Sequence, residues 1–232
     1  MDAQLAAMKA VLPDVPEYRI AALLRFTWEN EGCERAAYAP IVGAGPNSTV
    51  LHYDENSRVM RNGETVVVDA AGMYGGYAAD LTRTYPVGGH FSERQRQIYE
   101  LVLGAQEAAA QAIEPGKTRM GDLTALVKNY FKNSELRGPG GPDDTLDHYF
   151  IHGLGHGLGL NVHDVGDYNR PLDKGMVFTL EPGLYIPSEN LGVRIEDDFR
   201  IDDAGKVIKM SARLPSSIAA VERLMRDGAE KR

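Results

Sequence analysis

The sequence predicts an α+β fold made of two related αβ halves, and three observations lead there. Predicted elements run in the order helices, strands, helices, strands, helix. Two stretches echo each other, VVVDAAGMY (66–74) and VFTLEPGLY (177–185), each placing an acid on a strand just before a glycine turn. Each is followed by a second strand carrying another acid, Asp80 after Asp69 and Glu196 after Glu181. No linker or low-complexity segment divides the 232 residues, so residues 1–232 read as one domain.

The elements follow from local patterning. Leu5, Met8 and Leu12 recur at helical spacing until Pro13 and Pro16 interrupt them, and Ile20, Leu23, Leu24 and Trp28 define a second helix ending at Glu31-Gly32. Segments 36–45 and 48–53 read as β-rich, 65–72 as a buried strand, and 77–87 as its return. Ser92 and Gln95 form a capping box ahead of a helix whose apolar face carries Ile98, Leu101, Val102, Ala105, Ala109 and Ala112. A further helix over about 120–132 places Leu123, Leu126, Val127, Tyr130 and Phe131 inside. After the loop 137–144, segments 152–160, 176–186 and 192–202 read as strands, and a last helix opens near Ser216 or Ser217.

Composition removes several function classes. Apolar residues are 43% and charged residues 25%, which excludes a disordered chain. A net charge of −8 argues against nucleic acid or an anionic membrane as partner. A single cysteine, Cys33, no apolar run near the ~20 residues that span a bilayer, and no basic leader predict a cytoplasmic protein.

The acids carry the chemistry. Asp69 closes a run of valines, and valine-rich strands are buried, so its carboxylate needs a cation, donors or a proton. Glu181 and Glu196 sit in equally apolar strands, and only Arg83 and Arg194 lie close in sequence to balance them and Asp80. Three of the six histidines, His152, His156 and His163, fall in the segment 152–164, where glycine occupies every second position from 153 to 159. That period suits an extended strand whose glycine face admits another backbone. His152, Leu154, His156 and Leu158 would share its other face, while the parity of His163 requires a turn. One histidine with four carboxylates is a hard, oxygen-rich set that suits Mn²⁺ or Co²⁺, and its size fits two ions better than one.

Five ordered blocks, AAYAPIVGAGPNSTVLHY, DAAGMYGGYAADLTRTYPV, HGLGHGLGLNVHDVG, TLEPGLYI and GVRIEDD, resemble the pita-bread metallopeptidases of the aminopeptidase P and prolidase branch. The resemblance implies a pita-bread fold, two pseudo-symmetric halves around a curved antiparallel sheet, with the family's N-terminal domain missing. It implies two divalent metal ions, manganese ahead of cobalt or zinc. Asp69 would hold the first ion and His156 with Glu181 the second, Asp80 and Glu196 bridging both. Glu181 would accept the proton of the attacking water, and His163 would stabilise the oxyanion. His152 and His52 would line the pocket around proline, backed by Tyr38 and Arg194. Leu154 and Leu158 are expected to supply part of the apolar wall.

The implied substrate is a peptide with an Xaa-Pro N-terminus, cleaved before proline. Xaa-Pro dipeptidase activity is the near alternative and a non-catalytic peptide-binding module the distant one, with room for a homodimer. The remaining residues read blandly: Cys33 and Trp28 as packing, His90 and His148 as surface, Glu100, Glu107 and Glu114 as a solvated stripe, and Asp197 and Asp198 as structural or solvated.

Overall fold

The structure, a computed structural model, describes residues 1–229. Helices α1 (Asp2–Ala10) and α2 (Glu17–Asn30) are separated where Val11 turns extended and Asp14 adopts φ 65°, ahead of Pro16 at the α2 N-cap. Six short strands follow: β1 (Arg35–Ala36), β2 (Ile41–Ala44), β3 (Thr65–Asp69), β4 (Gly72–Tyr74), β5 (Tyr77–Ala78) and β6 (Thr82–Pro86). All pairings are antiparallel, in the orders β2-β3-β6 and β1-β4-β5. The predicted return strand is therefore two strands, broken around Asp80, which belong to different sheets.

The second half opens with α3 (Glu93–Gln111), started by the predicted Ser92–Gln95 capping box, and α4 (Met120–Lys132). Strands β7 (Val177–Leu180), β8 (Gly183–Ile186), β9 (Leu191–Arg194), β10 (Asp197–Ile201) and β11 (Val207–Lys209) form antiparallel sheets ordered β11-β10-β7 and β8-β9. Helix α5 (Ile218–Ala229) closes the described chain, packing on α1 and α3 and burying Ile218 and Val221. Its N-terminus lies where Ser216 and Ser217 predict it.

The halves meet where β6 runs beside β9. Glu196 N donates to Thr82 O at 3.1 Å, and the Thr84 hydroxyl bridges the Arg194 N–H and C=O at 3.1 and 2.9 Å. One apolar core spans both halves, from Val42, Val66 and Val68 to Phe131, Phe178, Val193 and Phe199. Among the described residues no helix is long and apolar enough to cross a membrane.

Segment 48–53 and the place of Tyr130 also differ from expectation. Segment 48–53 is a 3-10 turn and loop rather than a strand. It is held by side chains instead of a ladder. The buried Glu17 carboxylate accepts from Ala44 N, Asn47 Nδ2, Tyr53 OH and Arg58 N, and Ser48 Oγ accepts from Gly192 N. Gly192 is required there, because a Cβ would collide with the Ser48 carbonyl. Tyr130 is 38% exposed rather than inside, its ring lying along α3 with the hydroxyl over Gly104. Trp28 is core, Cys33 is half-buried, His90, His148, Glu100, Glu107 and Glu114 are exposed, and Asp197 and Asp198 are buried.

Candidate metal centre

The four acids stand where strands stop. Asp69 is the last residue of β3, Glu181 follows β7, Asp80 lies between β5 and β6, and Glu196 lies between β9 and β10. The turns 70–72 and 182–183 end the apolar runs there, so each carboxylate leaves the sheet at an edge facing one cavity. Asp80, Glu196 and His156 each bring a ligand atom within 4.8 Å of the others. His156 Nε2 lies 3.4 Å from Asp80 Oδ2 and 3.6 Å from Glu181 Oε1. Its Nδ1 is 3.1 Å from the Gly157 carbonyl, which fixes the proton on Nδ1 and leaves the Nε2 lone pair aimed at the acids.

Charge compensation is incomplete. Arg194 Nη2 pairs with Asp69 Oδ2 at 2.7 Å and is the only lysine or arginine paired with any of the four acids among the described residues. Arg83, expected to help, instead pairs with Asp197 at 2.6 Å and reaches Glu196 only through its main-chain carbonyl. Tyr38 OH lies 2.5 Å from Asp69 Oδ1 and 2.6 Å from Asp80 Oδ1, yet has one proton for both. Glu196 accepts from Thr82 through Oε2 at 2.7 Å, while its Oε1 is buried with no partner among the described residues.

Asp80, Glu181 and Glu196 consequently favour the protonated form. Burial, then Asp69, pushes Asp80 well above the usual range. Burial also raises Glu181, with Glu196 next, and raises Glu196, with Asp80 and then Asp69 next. A buried acid cluster that is short of cations, with an aimed imidazole and an orphaned oxygen, fits divalent metal.

The glycine-rich segment behaves as its period predicts along one stretch and departs from it in another. Leu158 N donates to Val177 O, Thr179 N to His156 O and Glu181 N to Leu154 O, a ladder laid along β7. Gly155 is essential to it, since a Cβ there would collide with the Thr179 carbonyl. The chain then turns at 159–163, with Gly159 N donating to Asn161 O and Asp164 N to Gly157 O. That turn carries the His163 ring back to 4.3 Å from that of His156 and 6.5 Å from His52. Burial first, then the neighbouring imidazoles, lowers the His163 pKa.

The acids and histidines line a cavity of about 580 Å³, together with Tyr38, Ile41, Leu51, Val162, Tyr168, Tyr185 and Arg194. All ten predicted site residues (Tyr38, His52, Asp69, Asp80, His152, His156, His163, Glu181, Arg194 and Glu196) come together there. Leu154 and Leu158 do not. Bends at His152 and Leu154 rotate the backbone, so Leu154 joins the core and Leu158 lines a neighbouring cavity under the 164–172 loop. The apolar wall is Ile41, Leu51, Val162, Tyr168 and Tyr185 instead.

Tyr185 lines the cavity as well, without having been singled out by the sequence. Its hydroxyl accepts from Arg194 Nη1 at 2.9 Å and donates to His152 Nε2 at 2.9 Å. His152 Nδ1 in turn donates to Gly153 O at 2.8 Å. Burial and then the Arg194 charge push His152 down to about 4, so it is neutral at pH 7. The available signal was the place of Tyr185 in the EPGLY block, four residues beyond Glu181.

Comparisons with known proteins point to a metallopeptidase family. A family profile described as "Metallopeptidase family M24" matches residues 1–203. An Xaa-Pro aminopeptidase of Haemophilus influenzae is 38% identical over 95% of the chain and 56% of that protein. An Xaa-Pro dipeptidase of Pyrococcus furiosus is 36% identical over 88% of the chain and 56% of that protein. A solved structure of aminopeptidase P from E. coli with the inhibitor Pro-Leu superposes at TM-score 0.90 and 34% identity, over 99% of this chain and 56% of that one. The chain thus spans a little over half the length of these relatives.

Proposed function

Because this chain belongs to metallopeptidase family M24, we propose that it removes the N-terminal residue from peptides with proline second, using two divalent ions. The observation that carries this reading is the orphaned Glu196 Oε1 beside Asp80 and His156, at the base of a cavity sized for a short peptide. Asp69 and Asp80 on one side, His156 and Glu181 on the other, and Glu196 between them would hold the ions. An oxygen-rich set of this kind favours Mn²⁺ over Zn²⁺. Two ions held by these residues would supply Lewis acidity for a bound water and for the scissile carbonyl.

The chain's own residues supply the rest. Glu181, whose pKa is raised chiefly by burial, would accept the proton of the attacking water. His163, held neutral, donates one N–H to the developing oxyanion. Proline removes the amide N–H, so the ring is recognised by shape, against Ile41, Leu51, Val162, Tyr168 and Tyr185. His52 and His152 border that wall, and the Arg194–Tyr185–His152 hydrogen bonds fix which nitrogen of His152 carries its proton.

The test is hydrolysis of matched peptides, Xaa-Pro-Yaa, Xaa-Ala-Yaa and Xaa-Pro, by metal-stripped protein with and without added Mn²⁺. Mn²⁺-dependent cleavage confined to Xaa-Pro-Yaa is the expected result. Cleavage of Xaa-Pro alone would make it a dipeptidase, the activity named for its Pyrococcus furiosus relative at 36% identity. No turnover by folded protein with any divalent ion would remove the enzymatic reading altogether.

A further inference from the structure

Behind the acids, on the side away from the cavity, each half contains one fully buried glutamine. Gln4 comes from α1 and Gln106 from α3, each 1% exposed. Gln4 Nε2 donates to Leu81 O at 2.8 Å and lies 3.2 Å from Val68 O and 3.4 Å from Ala70 O. Those carbonyls flank Asp69 on both sides and follow Asp80. Gln106 Nε2 donates to Leu180 O at 2.9 Å and Ile195 O at 3.2 Å, the carbonyls immediately before Glu181 and Glu196. One amide nitrogen in each half therefore grips the main chain at both of that half's acids.

The two arrangements correspond. Val68 and Leu180 occupy the same place in the echoed stretches, one residue before the acid. Each glutamine also has its oxygen anchored, Gln4 Oε1 by the Tyr85 hydroxyl and Gln106 Oε1 by Lys209 Nζ at 3.3 Å. An uncharged –NH₂ suits such a grip, because it offers two donors from one atom and places no charge beneath an anionic site. Neither contact contributes to helix propensity, and an apolar residue would fill both positions equally well if packing were their only role.

We propose that Gln4 and Gln106 are matched positioning residues that set the separation of the two acids in each half, and so the spacing at which the site receives two ions. The proposal rests on the reading of the acids as ligands of an ion pair. The ladder runs up to the acids, with Asp69 opposite Thr82 and Leu180 opposite Asp197, and one main-chain bond beyond it joins each pair of backbones, Ala70 N to Leu81 O and Ile195 N to Pro182 O. The strands end or break there, so the amide shared between the two backbones is the side-chain brace that holds those last contacts in place. Loss of either clamp should loosen one side of the site and weaken the more weakly held ion first.

The experiment compares the wild-type chain with Gln4→Leu, Gln106→Leu and the milder Tyr85→Phe, which keeps the Gln4 amide but frees its oxygen. Each is stripped, titrated with Mn²⁺ by calorimetry, and measured by electron paramagnetic resonance for the exchange-coupled signal of an ion pair. Folding is followed by circular dichroism. The expected result is that the leucine variants bind the second ion roughly 10–100-fold more weakly. They should show an isolated-ion spectrum at two equivalents, with kcat lowered and KM retained. Tyr85→Phe should move the same way by a few-fold, and it decides the question if a leucine variant does not fold.

Folded variants that bind two ions with wild-type affinity and an unchanged coupled spectrum would overturn the clamp, even if their melting temperatures fell. A wild type that binds fewer than two ions would overturn the ligand reading beneath it, which separates the two failures.

Discussion

The first and second halves of the molecule build the same device and finish it differently. Both bring two acids to a strand end or break, and both grip the main chain there with one glutamine amide. In the first half Asp69 has a cation of its own, Arg194, and Asp80 shares with it the single Tyr38 hydroxyl. In the second half Glu196 keeps a bare oxygen, and Glu181 has only the histidines within ion-pair reach, at 3.6 and 3.9 Å. The difference teaches that preorganisation and hunger for a cation are unevenly divided between the halves. Asp69 is held by its own cation, and Asp80, Glu181 and Glu196 are the carboxyls left for a metal to answer.

The sharpest way to break this comparison is to remove an acid. Asp80→Ala or Glu196→Ala should lower kcat/KM by roughly three orders of magnitude, several kcal/mol of electrostatic stabilisation at about 1.36 kcal/mol per factor of ten. Steady-state assays of the Mn²⁺-loaded variants check it, and a loss below tenfold would remove either residue from the centre.

Next in size is Arg194→Met, which strips the first half of its cation. A buried pair broken on one side costs ~3–5 kcal/mol. Denaturant unfolding of the metal-free variant should show a loss of that order, and added Mn²⁺ should restore part of it. If the loss is under about 1 kcal/mol, the value of an exposed pair, Asp69 is not held as described.

A third test uses pH. Asp80, Glu181 and Glu196 have folded-state pKa values raised above their unfolded ones, so the folded metal-free protein binds more protons than the unfolded chain. Their effect is absent below the unfolded values near ~4 and destabilises progressively as pH climbs through the raised ones. Ions compete with those protons. At about 100 times its Kd, each site's ligand should stabilise by ~2.7 kcal/mol, or several degrees in Tm. Thermal scans should show a larger Mn²⁺-induced rise at pH 8 than at pH 6, and the reverse order would contradict the assignment.

The smallest effect belongs to Tyr185→Phe. It deletes one hydroxyl between Arg194 and His152, about 1 kcal/mol, so kcat/KM should fall by roughly fivefold while metal content stays unchanged. Metal analysis alongside steady-state kinetics checks both halves of that expectation.

Much of this was legible before the structure because misplaced charge is conspicuous in sequence. Asp69 after three valines, and Glu181 and Glu196 inside apolar strands, stand out for the same reason that they need a cation. His163 was legible through parity, since a period of two cannot place it beside His156 without a turn. Leu154 and Leu158 were misplaced by the same rule, because bends at His152 and Leu154 cancel a parity that holds only along a straight strand. Tyr185, Gln4 and Gln106 left no such mark. Uncharged polar side chains at helical or strand spacing resemble surface residues, and their partners are backbone atoms whose positions depend on the tertiary fold. Segment 48–53 looks β-rich by sequence, whereas Glu17, on a helix much earlier in the chain, dictates its shape.

The most direct measurement is calorimetric titration of metal-stripped wild type with Mn²⁺ in two buffers of different ionisation enthalpy, which counts both ions bound and protons released. Two ions per chain should bind, with protons leaving the raised carboxyls as they do. One ion or none, or binding without proton release near neutral pH, would contradict the proposed two-ion centre.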